Sequence, residues 1–199
     1  MRASRRRGFT LPEVLVSTFI LVLLAAMTVP SLVSYKNAKD ARATAATISS
    51  FSLSIVNTNA ELGDPGFFER VAAYPQTLSQ LIAPITTSMR SCAGTLYTAT
   101  DVANWAVGAP YSTATVIATK GVPTPLGWIR DTVYVSATPN YVELRLDSVE
   151  TGDANNIDLA IDIDADSTSG VLRYEAEPSA PGNPQLHRLR YLIPKGIGC

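Results

Sequence analysis

The sequence predicts an α+β fold: a long amino-terminal helix, half of it suited to a membrane and half amphipathic, packed on a small antiparallel sheet of four or five strands. Three observations predict it. Arg2, Arg5, Arg6 and Arg7 precede an uncharged run from Val14 to Tyr35; apolar residues then recur at three, four and seven positions from Ala41 to Leu62; and the last third holds short β-rich runs in which apolar and polar residues alternate.

Composition agrees with the first. Of 199 residues 46% are hydrophobic and 17% charged, the latter below the roughly 25% of an average soluble protein, which excludes a charged disordered tail and points to a membrane segment. Residues 1–42 carry seven basic and two acidic side chains, and the remainder carries nine basic and fifteen acidic. A net-acidic body argues against a nucleic-acid-binding surface. A zinc site of His and Cys would need three ligands from three scattered candidates, Cys92, His187 and Cys199, so the sequence argues against that too.

The uncharged run is 22 residues long, or about 33 Å of helix at ~1.5 Å per residue, whereas the apolar core of a signal peptide has about 7 to 15 residues. Four arginines ahead of it favour a cytoplasmic amino terminus and an exported carboxyl end. Ala25, Ala26 and Ala38 keep an ordinary signal-peptide cleavage site open as the alternative.

The order of pieces is more specific. Arg7-Gly8-Phe9-Thr10-Leu11, the lone acid Glu13 and the helix Val14-Leu15-Val16 onward through Ala25, Ala26, Pro30 and Ser31 to Tyr35 resemble the type IV pilin and type II secretion pseudopilin family. The resemblance covers about the first 30 residues. It implies cleavage between Gly8 and Phe9 by a prepilin peptidase, a membrane-embedded aspartyl enzyme, followed by methylation of Phe9. It also implies storage in the bacterial inner membrane, and extraction by an inner-membrane assembly platform into a filament with other pilin subunits. On this reading residues 1–8 are a cytoplasmic leader, 9–35 a transmembrane helix, 36–62 its amphipathic continuation and 63–199 an exported head. Pro12 departs from the branched aliphatic residue of many members, but proline suits a first helical turn, where its missing amide would be unpaired anyway.

Glu13 admits two readings. A carboxylate in the first turn gains up to ~1 kcal/mol from the helix dipole. The resemblance implies instead that it pairs with the free amine of Phe9 on a neighbouring subunit during assembly, because an acid at the edge of an apolar helix is costly in lipid without a cation. Pro30 removes one main-chain hydrogen bond and is expected to kink or loosen the helix.

Beyond the apolar run, Ala41, Ala45, Ile48, Phe51, Ile55 and Leu62 continue one helical face, and Gly63-Asp64-Pro65-Gly66 supplies the stop. Residues 63–131 are broken by prolines. Thr77 to Ile82 suggests a short helix after Pro75, and Tyr74-Pro75 with Leu78 and Leu81, like Trp105 ahead of Pro110-Tyr111, weakly resembles pseudopilin segments. Thr132–Ala137 and Tyr141–Asp147 read as a half-buried hairpin. Glu150 to Asn156 reads as a polar loop, and Ile157, Leu159, Ile161 and Ile163, alternating with acids, as a strand. Val171–Glu175 and Arg188–Ile193 complete the sheet.

Asp162, Asp164 and Asp166 imitate the opening of a calcium loop, but Ser167 and Arg173 stand where an EF-hand needs glycine and glutamate. On the predicted strand these carboxylates share a solvated face; calcium, which many pseudopilin heads hold, stays open as a ligand, and no other cofactor is indicated. Cys92 and Cys199 would both be exported, where disulfides persist. A bond between them would close 106 intervening residues, and two separate thiols remain the alternative. His187, between Leu186 and Arg188, reads as a surface residue at the start of a strand, without the local signature of a catalytic base.

The sequence thus indicates a structural filament subunit rather than an enzyme. The alternative is a single-pass, membrane-anchored periplasmic protein whose head binds a ligand or catalyses a reaction.

Overall fold

The structure is a computed structural model that describes residues 10–56, 65–117, 120–136, 140–163, 166–177 and 185–194. The chain divides into two compact units, Met1–Lys39 and Asp40–Cys199. A single helix, α1 (Leu11–Val56), contributes to both and carries Pro30 inside it.

In the first unit every described residue of α1 is exposed. Its most apolar 18-residue window has a mean hydropathy of 2.2, enough in length and composition to cross a membrane. Polar side chains there are satisfied locally. Ser17, Thr28 and Ser31 donate to the carbonyls of Glu13, Leu24 and Thr28 at 2.8, 3.0 and 2.8 Å, which is how hydroxyls are tolerated where water is absent.

The second unit is an α+β head. Its helices are the remainder of α1, α2 (Phe67–Val71), a 3-10 turn Leu78–Leu81, α3 (Ala99–Gly108) and α4 (Thr151–Ile161). Its strands are β1 (Val122–Thr124), β2 (Gly127–Ile129), β3 (Tyr134–Val135), β4 (Tyr141–Glu150), β5 (Leu172–Ala176) and β6 (Leu186–Pro194). All pairs are antiparallel, in the order β1-β2-β4-β6-β5, with β3 also on β4. Because β6 takes one edge of β4, the short β2 and β3 share the other in succession, opposite Leu146–Asp147 and Val142–Glu143 respectively.

The amphipathic face is where periodicity placed it. Ala41, Ala45, Ile48, Phe51 and Ile55 are buried, and Ile48 faces Ile129, Leu144, Leu146, Leu172 and Leu189 across a small gap. This helix-on-sheet contact is the core. Leu62 and the stop at residues 63–64 lie outside the described residues.

Three expectations are corrected. Among the described residues the sheet has six strands rather than four or five, because β1 and β2, three residues each, are too short to show alternation. The hairpin of β3 and β4 forms, but β4 is central and covered on both faces: Glu143 and Asp147 are as buried as Val142 and Leu144. Residues 157–161, read as strand, are the second half of α4, and the supposed polar loop is its first half. In α4 Ala154, Ile157 and Asp158 are buried and Ile161 half-buried, at helical spacing, while Leu159 is half exposed. Both periods fit the apolar residues, and packing on β4, β5 and β6 selects the helix.

Where the prolines obscured the pattern, one side chain organises the chain. Gln80 is buried; its Oε1 accepts from the Gln76 amide (2.8 Å) and the Tyr97 hydroxyl (2.9 Å), and its Nε2 donates to the Arg90 carbonyl (3.0 Å). Its own carbonyl accepts from Trp105 Nε1 at 2.8 Å. Burial, and then the nearby charge of Asp101, hold the Tyr97 hydroxyl above its ordinary pKa, so it remains a donor.

Candidate functional site

Glu13 sits in the first turn of α1, and its carboxylate turns back to Thr10, accepting from both the Thr10 amide and the Thr10 hydroxyl at 3.2 Å. The Val14 amide donates to the Thr10 carbonyl, also at 3.2 Å. Thr10-Leu11-Pro12-Glu13 therefore behaves as one half of a capping box, with the acid tending a helix end that has surplus amides. The Thr-x-x-Glu spacing is the sequence signal for it. Gly8 and Phe9, the expected processing residues, lie outside the described residues.

Glu13 and Phe9 are the expected assembly pair. In the isolated chain the acid is occupied by a weak, local partner on an exposed helix end, so a full positive charge brought to it has a carboxylate to compete for.

The expected disulfide falls half within reach. Cys92 is half-buried and is not a free thiol; Cys199 lies outside the described residues. The Cys92 amide donates to the Tyr74 carbonyl at 3.0 Å, and the Tyr74 hydroxyl donates to the Pro194 carbonyl at 3.2 Å. Tyr74 thus ties the Cys92 segment to the end of β6, five residues before Cys199.

Asp162 and Asp166 are not on a strand. Asp162 ends α4, and its Oδ2 accepts from the Leu172 amide at 2.7 Å, fixing the start of β5. Gly170, at φ 74°, makes this possible, since a Cβ there would stand 2.2 Å from that oxygen. Asp166 is fully exposed and accepts from Thr168 and Ser169. Those bonds, led by the Thr168 hydroxyl, hold its pKa below the usual carboxylate range. Asp164 lies outside the described residues. Among the described residues no group of three or more His, Cys, Asp and Glu is placed to hold a metal ion.

His187 lies on β6, as expected, with Nε2 3.0 Å from Thr151 Oγ1 and its ring edge-on to Tyr174 at 5.6 Å. These contacts dock α4 on the sheet. The outer face of the sheet, which sequence did not single out, carries most of the charge. Asp147 is buried between Arg130 Nε at 2.6 Å and Arg188 Nε at 2.8 Å. Glu143 pairs with Arg145, whose guanidinium lies 3.7 Å from the Tyr134 ring.

A family model for the prokaryotic N-terminal methylation motif matches residues 3–29. No curated protein and no solved structure matches the chain. The matched span takes in the basic leader, Gly8, Phe9, the Thr10–Glu13 cap and most of the exposed apolar helix, so the amino terminus of this chain is a prepilin-type signal, the mark of type IV pilins and pseudopilins.

Proposed function

We propose that the chain is a structural subunit, pilin or pseudopilin, of a type IV pilus or type II secretion-like filament. It is made as a precursor, cleaved between Gly8 and Phe9 by a prepilin peptidase and methylated at Phe9. The helix holds it in the inner membrane with its head exported until an assembly platform draws it into the filament. The observation that carries this reading is the methylation motif at residues 3–29 fused to a helix whose apolar half is exposed and whose amphipathic half is the spine of an α+β head. A filament core of packed apolar helices has use for such a bare segment; the head has no need of it. Within the exported head, Cys92 and Cys199 form an intramolecular disulfide, supported by the Tyr74 link between their two segments.

The fold's own chemistry is structural. Asp147 pairs with Arg130 and Arg188, Glu143 pairs with Arg145 on its own strand, and His187 serves packing. The test is the share of this subunit in sheared, purified filaments relative to the membrane pool. Enrichment in the filament fraction supports the reading; a chain found only in the membrane, with its leader intact, would favour a bitopic periplasmic protein.

A further inference from the structure

Strand register sets two arginines directly opposite one another with no acceptor for the Nε of either. Arg190 of β6 is opposite Arg173 of β5, and on its other side it is opposite Arg145 of β4. Alternation puts all three on the face of the sheet away from Leu144, Leu172 and Leu189, which pack toward Ile48 of α1.

Five arginines gather in this part of the head, and three of them are engaged. Arg130 and Arg188 both bond Asp147. Arg145 pairs with Glu143 and lies 3.7 Å from the Tyr134 ring. Because Tyr134 belongs to β3, on the edge of β4 opposite β6, that contact draws the Arg145 guanidinium away from Arg190. Arg173 and Arg190 are left over. Arg190 approaches Glu175 only to 3.8 Å, beyond hydrogen-bond length, and that carboxylate is 48% exposed. Arg173 has no ion-pair partner among the described residues, and the Nε atoms of both arginines are buried without an acceptor. The next acid along, Glu177, accepts from the Ser148 amide at 2.9 Å and the Ser148 hydroxyl at 3.2 Å.

Both features are unfavourable in a sheet: like charges stand directly opposite, and buried donors go unpaired. One negatively charged acceptor seated between the two side chains relieves both. We infer that Arg173 and Arg190 form a clamp for a phosphoryl group, supplied by free phosphate or by a phospholipid headgroup. A guanidinium grips an oxyanion side-on, through Nε and one Nη. A tetrahedral phosphoryl group carries oxygens in more than one plane, so it can accept from two guanidinium groups on strands about 4.8 Å apart. A carboxylate has two oxygens in one plane, and the one tethered beside the pair, Glu175, leaves both Nε atoms unserved. Headgroups are a real source for this chain, whose first helix is long and apolar enough to cross a membrane. The clamp goes beyond the filament reading and stands or falls separately from it.

The test follows the arginine Nε–H resonances of the full chain in nonionic detergent micelles while inorganic phosphate is added, with chloride at matched ionic strength and acetate as comparisons. Arg173 and Arg190 are expected to shift together and to saturate with phosphate alone, while Arg90, exposed elsewhere on the head, stays in place. Arg173→Lys keeps the charge and removes the fork, and is expected to weaken phosphate binding about tenfold; Arg90→Lys is expected to bind like wild type. The same resonances in nanodiscs without added phosphate separate the sources. A shift in phosphatidylglycerol but not in phosphatidylcholine assigns a headgroup, and a shift only on adding phosphate assigns the free ion. No saturable shift with either source would overturn the proposal. So would an equal response to chloride or acetate, or an Arg173→Lys variant that binds phosphate as tightly as wild type.

Discussion

Glu13 accepts from both the amide and the hydroxyl of Thr10, at 3.2 Å each, so the acid of the prepilin-type signal caps its own helix before any neighbour arrives. An assembling subunit would exchange this local pair for a charged one. The 22 uncharged residues beyond Glu13 suffice for insertion without it. Glu13→Val is therefore expected to be inserted and cleaved yet scarce in sheared filaments, with Glu13→Asp intermediate. Thr10→Ala, which removes the hydroxyl bond to Glu13 and leaves the amide bond, is expected to cost less than about 1 kcal/mol of helix-end stability and to assemble nearly normally. Quantifying each variant in filament and membrane fractions separates the two roles: wild-type incorporation of the valine variant would reduce Glu13 to its capping function.

Asp147 is the most consequential charge in the head. It is buried and shared by Arg130 and Arg188, whose guanidinium it holds above its ordinary pKa chiefly by direct hydrogen bonding. Asp147→Asn leaves two arginines facing a neutral amide, and is expected to lower unfolding free energy by about 2 to 3 kcal/mol, less than a fully buried pair because Arg130 is 45% exposed. Urea denaturation of the full chain in micelles checks it.

Asp153 carries the opposite expectation. Its pKa, raised by burial first and then by the charges of Glu150 and Asp40, means the folded chain binds that proton more tightly than the unfolded chain does, so stability from this group falls as pH rises past the ordinary carboxylate range. Asp153→Asn is accordingly expected to be more stable than wild type at neutral pH, the difference closing below about pH 4. Thermal unfolding at both pH values reads the sign.

Gly170→Ala tests the α4–β5 corner. The added Cβ meets Asp162 Oδ2 at a positive φ, and a loss of about 1 to 3 kcal/mol is expected, with faster amide exchange at Leu172.

Cys92→Ser in the exported head is expected to cost a few kcal/mol, given the ~4 to 5 kcal/mol that the chain-entropy model assigns to so long a loop, and to release β6 first. Two alkylated thiols in the native protein under non-reducing conditions would refute the bond.

How much of this was legible depended on the length of each pattern. The second half of α1 carries its period plainly, so Ala41 to Ile55 read as the buried face, and β6 and the β3–β4 hairpin show as β-rich runs. α4 does not, because Ile157, Leu159, Ile161 and Ile163 alternate as a strand would; burial of Ala154 and Ile157 with Leu159 half exposed shows the helical spacing instead. α3 had a signal that went unread, the Thr98–Asp101 capping box. The arginine row was beyond sequence altogether, since Arg145, Arg173 and Arg190 meet only through strand register. At the amino terminus the motif was read from the residues that matter, and Thr10 was the part overlooked.

The most direct measurement is the intact mass and amino-terminal sequence of the membrane-bound protein from cells that make the peptidase. The account expects a chain beginning at methylated Phe9, lacking Met1 to Gly8 and their four arginines, with formal charge shifted from −1 to −5. A chain that retains Met1 in those cells would contradict it.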